Sequence, residues 1–160
     1  MAVQQPAPSG LFGSSLQGSS AQGLLALLEE QEPLLQAHAL KQLYQVVDQY
    51  WAEVASSVPL IEELSEDPNF EHRDLAAAVA SRCFFHLEEY NDALRLALGA
   101  GQFFDVSAQS GSKRSAAENQ YVETMISKCI DEYIRLRTEE AESGTLVAID
   151  DRMVAIVERS

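Results

Sequence analysis

Apolar residues return at steps of three and four along most of the chain, and a period of two is never sustained, so helices and no strands are predicted. Leu40, Leu43, Val47, Tyr50 and Val54 define one buried stripe, with Lys41, Gln42, Gln45, Asp48, Gln49 and Glu53 opposite it. Pro33 suits the first turn of that helix, and Glu32 favours the positive end of its dipole. A shorter helix through Leu24, Leu25, Leu27 and Leu28 is predicted ahead of it, with Ser20 positioned to accept from its first free amides. Pro59 marks a break, and a short turn over residues 60–66 ends at Asp67, Pro68 and Asn69.

Leu75, Val79, Cys83 and Leu87 then recur every four residues, while Ala76, Ala77, Ala78 and Ala80 admit a close neighbour. This predicts an inner helix. Its partner opens at Tyr90, buries Ala93, Leu94, Ala97 and Leu98, and stops at a left-handed Gly99 or Gly101. The short connection makes residues 72–99 an αα-hairpin. Residues 107–120, polar and locally basic at Lys113 and Arg114, are predicted as a flexible loop. A long helix follows through Val122, Ile126, Cys129, Tyr133 and Leu136 until Glu139, Glu140, Glu142 and Gly144 dissolve the pattern. One more helix begins near Asp150 and carries Met153, Ile156 and Val157.

The predicted fold class is all-α: antiparallel helix pairs stacked as an α-solenoid-like rod. Residues 1–19, rich in Pro, Gly, Ser and Gln, are predicted to be a disordered leader. A helical-repeat domain occupies 20–106 and continues over 121–160 after the loop, and its uncapped last helix reads as truncated.

Composition narrows the partners. The 160 residues are 46% hydrophobic and 22% charged, as in a globular protein, and 25 acidic against 11 basic side chains leave a formal charge of −14. Such a surface repels phosphate backbones and anionic headgroups, so neither nucleic acid nor a membrane is an expected partner. No stretch approaches the roughly 20 apolar residues that cross a bilayer. The first charged residue is Glu29, which leaves the start without the basic flank of a secretory signal. Cys83 and Cys129 fall on apolar helical faces and read as free core thiols in a reducing compartment, the cytoplasm or nucleus.

Candidate chemistry adds little. Gly13 and Gly18 have phosphate-loop spacing, but the lysine and the preceding strand are missing. Cys83 and His86 share a helix face without a second close pair of ligands, since only Cys129, His38 and His72 remain. Carboxylate pairs such as Glu29 with Glu30, Glu62 with Glu63 and Asp131 with Glu132 lie on polar faces, where they are solvated charges. Trp51 and the cluster Phe84, Phe85, Tyr90, Phe103 and Phe104 read as core before they read as a pocket. No catalytic residue, cofactor, metal or small-molecule substrate is expected. A small hydrolase would have to rest on Cys83 and scattered acids.

Residues 39–67, ALKQLYQVVDQYWAEVASSVPLIEELSED, resemble the start of the largest non-ATPase scaffold subunits of the proteasome regulatory particle base, most tellingly at DQYWAEV. The likeness resumes at LAAAVASRCFFHLEEYNDALRLALGAGQFFDVS, at YVETMISKCIDEYI and at IDDRMVAIVER, in order along the chain. Trp51, Glu53, Tyr90, Ala93, Gly99, Gly101 and Tyr121 stand in these stretches as family-signature structural positions. The resemblance implies the N-terminal helical rod of a non-catalytic scaffold whose later part is a toroid of proteasome/cyclosome repeats. It also implies other regulatory-particle subunits, base ATPases and lid subunits, as partners in ubiquitin-dependent degradation. The phrase HLEEYNDALRLAL leaves a free-standing tetratricopeptide-like adaptor as the alternative.

Overall fold

The computed structural model describes residues 20–106 and 114–159, and every regular element among them is helical. The leader expected at 1–19 and residues 107–113 of the loop expected at 107–120 lie outside the described residues. The order is α1 (Gln22–Glu29), α2 (Pro33–Val54), α3 (Val58–Glu66), α4 (Arg73–His86), α5 (Tyr90–Leu98), α6 (Ala116–Ser143) and α7 (Asp151–Arg159). Two 3-10 turns, Ala55–Ser57 and Gly101–Phe103, join α2 to α3 and follow α5.

Local chemistry sets the boundaries. Gln22 N–H donates to Ser20 Oγ at 3.0 Å, as expected of the residue ahead of a helix. Pro33 occupies the first turn of α2, where its missing N–H leaves no bond unmade. Pro59 likewise sits in the first turn of α3, so the break falls just before it, on the 3-10 turn. In α2 the expected Leu40, Leu43, Val47, Tyr50 and Val54 are all buried, and the helix bends at Tyr50 (φ −110°, ψ 21°).

The hairpin of α4 and α5 turns on Glu88, held at φ +61° while Glu89 N–H reaches back to the Phe84 carbonyl at 2.9 Å. After α5, Gly99 keeps φ −92° and Gly101 takes the left-handed conformation at φ +56°. The left-handed stop therefore belongs to Gly101.

Helix α6 starts at Ala116, five residues ahead of the expected Tyr121. Ser115 Oγ accepts from Glu118 N–H at 3.1 Å and Glu118 Oε2 accepts from Ser115 N–H at 2.8 Å, a reciprocal capping box. Its far end is closed by Gly144 at φ +71°, and Asp150 Oδ1 accepts from Arg152 N–H at 2.8 Å to open α7.

The apolar side chains form two cores. One gathers α1 to α4, with Leu28, Leu40, Leu43, Val47, Val54, Ile61, Val79 and Cys83 fully enclosed. The other joins α5, α6 and α7 through Ala93, Ala97, Tyr121, Met125, Cys129, Met153 and Ile156. Phe84 and Phe104 pack against both. Helix α4 is buried from Leu75 through Cys83 because α2, α3 and α5 all lie against it. Helix α5 is buried on two sides: Leu96 faces the first core, and Ala93, Leu94 and Ala97 face the second.

Candidate functional site

Where the two cores meet, a set of polar groups converges on Arg82. It is the only charged residue among residues 75–87, and nothing within four positions carries an opposite charge, so its counter-ions must come from other helices. Its Nη1 donates to Asp48 Oδ2 on α2 at 3.0 Å, and its Nη2 stands 3.6 Å from Glu118 Oε1 on α6. The guanidinium carbon lies 4.6 Å from the Tyr121 ring centroid and 5.5 Å from that of Tyr44. With the residue only 5% exposed, these contacts compensate a charge that burial would otherwise make very costly.

Asp48 Oδ1 also pairs with His86 Nε2 at 2.9 Å, and the His86 ring stacks on Trp51 at 5.7 Å between centroids. Asp48 is therefore a shared acceptor and not a solvated charge on the outer face of α2. One turn before His86, Ser81 Oγ donates to the Ala93 carbonyl at 2.7 Å and meets the Tyr121 hydroxyl at 2.6 Å. Because Ser81 has one proton and spends it on Ala93, Tyr121 is the donor in the second bond.

Burial pushes the Tyr121 phenol up to about 12, against the opposing pull of the Ser81 hydrogen bond and the Arg82 charge. Burial also raises Tyr44. Cys83 and Cys129 are buried free thiols, each pushed up to about 11 by desolvation, Cys129 with a smaller contribution from Asp150. Neither thiol is a nucleophile near neutral pH. No cluster of three or more His, Cys, Asp and Glu able to hold a metal occurs among the described residues. The polar set acts as a tie: it locks α2, α4, α5 and α6 into one relative orientation, around a cavity of about 170 Å³ lined by Tyr44, Arg82, Phe103, Arg114, Glu118 and Tyr121.

The seven positions expected as family signatures divide between this tie and other structural tasks. Tyr121 and Ala93 belong to the tie directly, through the hydroxyl of one and the carbonyl of the other. Trp51, half-buried against the first core, borders it through His86, and its carbonyl accepts from the Cys83 thiol at 3.4 Å. Glu53 lies elsewhere: its Oε1 accepts from Ser20 Oγ at 2.9 Å and from Ala21 N–H at 3.1 Å, fastening the start of α1 to the end of α2. Tyr90 packs beside Phe85 at the start of α5, and Gly99 and Gly101 terminate that helix.

Asp48, Ser81, Arg82 and Glu118 were not singled out by the helical pattern. The sequence carries a signal for two of them, a lone arginine inside an apolar run for Arg82 and Ser115 three residues ahead of Glu118, and none for Asp48 or Ser81.

The family model described as 26S proteasome subunit RPN2, N-terminal domain, matches residues 19–160. The chain is similar to 26S proteasome non-ATPase regulatory subunit 1 homolog B of Arabidopsis thaliana, with 51% identity over 143 residues, 88% of this chain and 13% of that protein. It is 44% identical over 142 residues to 26S proteasome non-ATPase regulatory subunit 1 of Drosophila melanogaster, covering 88% of this chain and 13% of the relative. Similarity extends to 26S proteasome regulatory subunit RPN2 of Saccharomyces cerevisiae, 35% identical over 145 residues and covering 88% and 14% of the two chains. The chain thus spans less than one sixth of the length of these relatives.

Proposed function

The chain belongs to the family of 26S proteasome subunit RPN2 N-terminal domains, and on that premise we propose that it is a non-catalytic scaffold segment of the proteasome regulatory particle base. The observation that carries this reading is the family match over residues 19–160, seated on a body of packed helices. A helical body of this kind offers broad, rigid surfaces on which other proteins assemble. Its polar centre favours the same role, because the Arg82 contacts fix helices against one another and the raised phenol and thiols are poor acids and nucleophiles at neutral pH.

The partners in this reading are other regulatory-particle subunits, base ATPases and lid subunits, and its setting is the cytoplasm and nucleus. No described helix is long and apolar enough to cross a membrane. Unequal helices, from 8 residues in α1 to 28 in α6, weigh against a tetratricopeptide-like adaptor, whose repeats need pairs of near-equal length.

Gentle affinity purification of the tagged chain from its native cell, followed by mass spectrometry, tests the proposal. Recovery of ATPase and lid subunits supports it, and a clean preparation lacking both overturns it.

A further inference from the structure

The corner between α1 and α2 presents two adjacent leucines to solvent. Leu34 is 78% and Leu35 38% exposed in the first turn of α2. The other large exposed apolar residues among those described, Leu87, Ile134 and Leu146, are separated along the chain, as is ordinary on protein surfaces.

Three exposed carboxylates, Glu29, Glu30 and Glu32, precede the leucine pair. None of the three side chains makes a hydrogen bond or ion pair with another described residue. Along α6, by contrast, Glu132, Glu139 and Glu140 are matched by Arg135 and Arg137.

The backbone beneath this corner is fixed. Pro33 restricts φ, Glu32 N–H donates to the Glu30 carbonyl at 2.7 Å, and Gln36 N–H donates to the Glu32 carbonyl at 3.0 Å. The buried Gln36 side chain ties the corner to α1 by donating from Nε2 to the Leu28 carbonyl at 3.1 Å. Apolar side chains held on a rigid support lose little freedom when covered.

We propose that this corner is a docking knob for another protein, and that its occupant is an apolar pocket rimmed by lysine or arginine side chains. The inference rests on the scaffold reading above and names the surface through which such a scaffold holds a neighbour. Charge complementarity identifies the partner: three unpaired carboxylates within four positions, on a chain of net charge −14, match a basic rim.

The test places a benzophenone amino acid at Leu34 of the tagged chain in its native cell, with photo-crosslinking and peptide sequencing. The expected product joins residue 34 to a peptide of another protein that carries apolar residues flanked by Lys or Arg. Leu34→Ser and Leu35→Ser should each weaken recovery of that protein about tenfold, and Glu29→Lys with Glu30→Lys and Glu32→Lys should weaken it further at low salt, with unchanged melting of the chain. A crosslink into residues 1–19 of the chain itself, into a second copy, or into an acidic surface overturns the proposal, as does the lack of any crosslink. Recovery of regulatory subunits with undiminished yield from the Leu34→Ser/Leu35→Ser variant sinks the knob alone. A basic-rimmed crosslink partner outside the particle, with no regulatory subunit recovered, sustains the knob and removes the scaffold reading.

Discussion

At Gly101 two demands fall on one residue. Its φ is +56°, and a Cβ there would stand 2.7 Å from Asp74 Oδ2 and 3.2 Å from Asp74 Cγ. Gly101→Ala should therefore destabilise the chain by about 2 kcal/mol or more in urea melting, of which the left-handed backbone accounts for about 1–2 kcal/mol. Adding Asp74→Ala should recover only the part due to crowding, so a double variant as stable as Asp74→Ala alone would show that the backbone conformation carries no penalty. Tyr121 gives a second residue-scale expectation. An acid whose folded pKa is raised keeps its contribution below its unfolded value, about 10 for a phenol, and loses it as pH climbs through the folded value of about 12. Between those limits stability should fall with rising pH, and Tyr121→Phe should flatten the slope while costing about 1 kcal/mol at neutral pH for the lost hydrogen bond to Ser81. An unchanged alkaline slope would count against Tyr121 as its source. A left-handed stop was legible but not its place: the sequence offered Gly99 and Gly101 as equal stops, and which of them meets Asp74 depends on how α5 returns over α4.

Among the helices, α6 shows what sequence reveals and what composition hides. Residues 107–120 are polar enough to read as a loop, yet Ser115 and Glu118 already have capping-box spacing, and the helix begins between them at Ala116. Glu118 does two things at once, with Oε2 on the Ser115 amide and Oε1 3.6 Å from Arg82. Ser115→Ala should cost about 1 kcal/mol through the cap alone. Glu118→Gln keeps the capping geometry and removes the charge facing Arg82, whereas Glu118→Ala removes both. If Glu118→Gln melts like the wild type while Glu118→Ala does not, the cap dominates; equal losses assign the effect to the ion pair. The apolar stripes of α2 were legible because one face of that helix meets water. Those of α4 and α5 were legible only in part, since helices lie on several sides: Ser81 and Arg82 are buried in α4, and Leu96 in α5, at positions a single-stripe pattern assigns to solvent.

For the molecule as a whole, the question is what makes two cores behave as one. Phe84 and Phe104 touch both, but the polar groups around Arg82 are the more specific link, joining α2 of the first core to α6 of the second through one guanidinium. Breaking a fully buried ionic set costs about 3–5 kcal/mol. Removing Arg82 would leave behind Asp48 and Glu118, whose side chains are 28% and 34% exposed, with Asp48 still held by His86, so the loss should fall below that range. In this fold the loss falls on the junction, so Arg82→Ala should do more than lower stability: it should uncouple the halves. The single tryptophan, Trp51, packs against the first core and reports it by fluorescence, while circular dichroism reports every helix. In the wild type the two signals should move together in urea, as one cooperative transition requires. In Arg82→Ala the helix signal from α6 and α7 should fall first, with Trp51 following at higher urea. Coincident curves in the variant would mean that the aromatic contacts of Phe84 and Phe104 carry the coupling, and Phe104→Ala would then split the transition where Arg82→Ala does not.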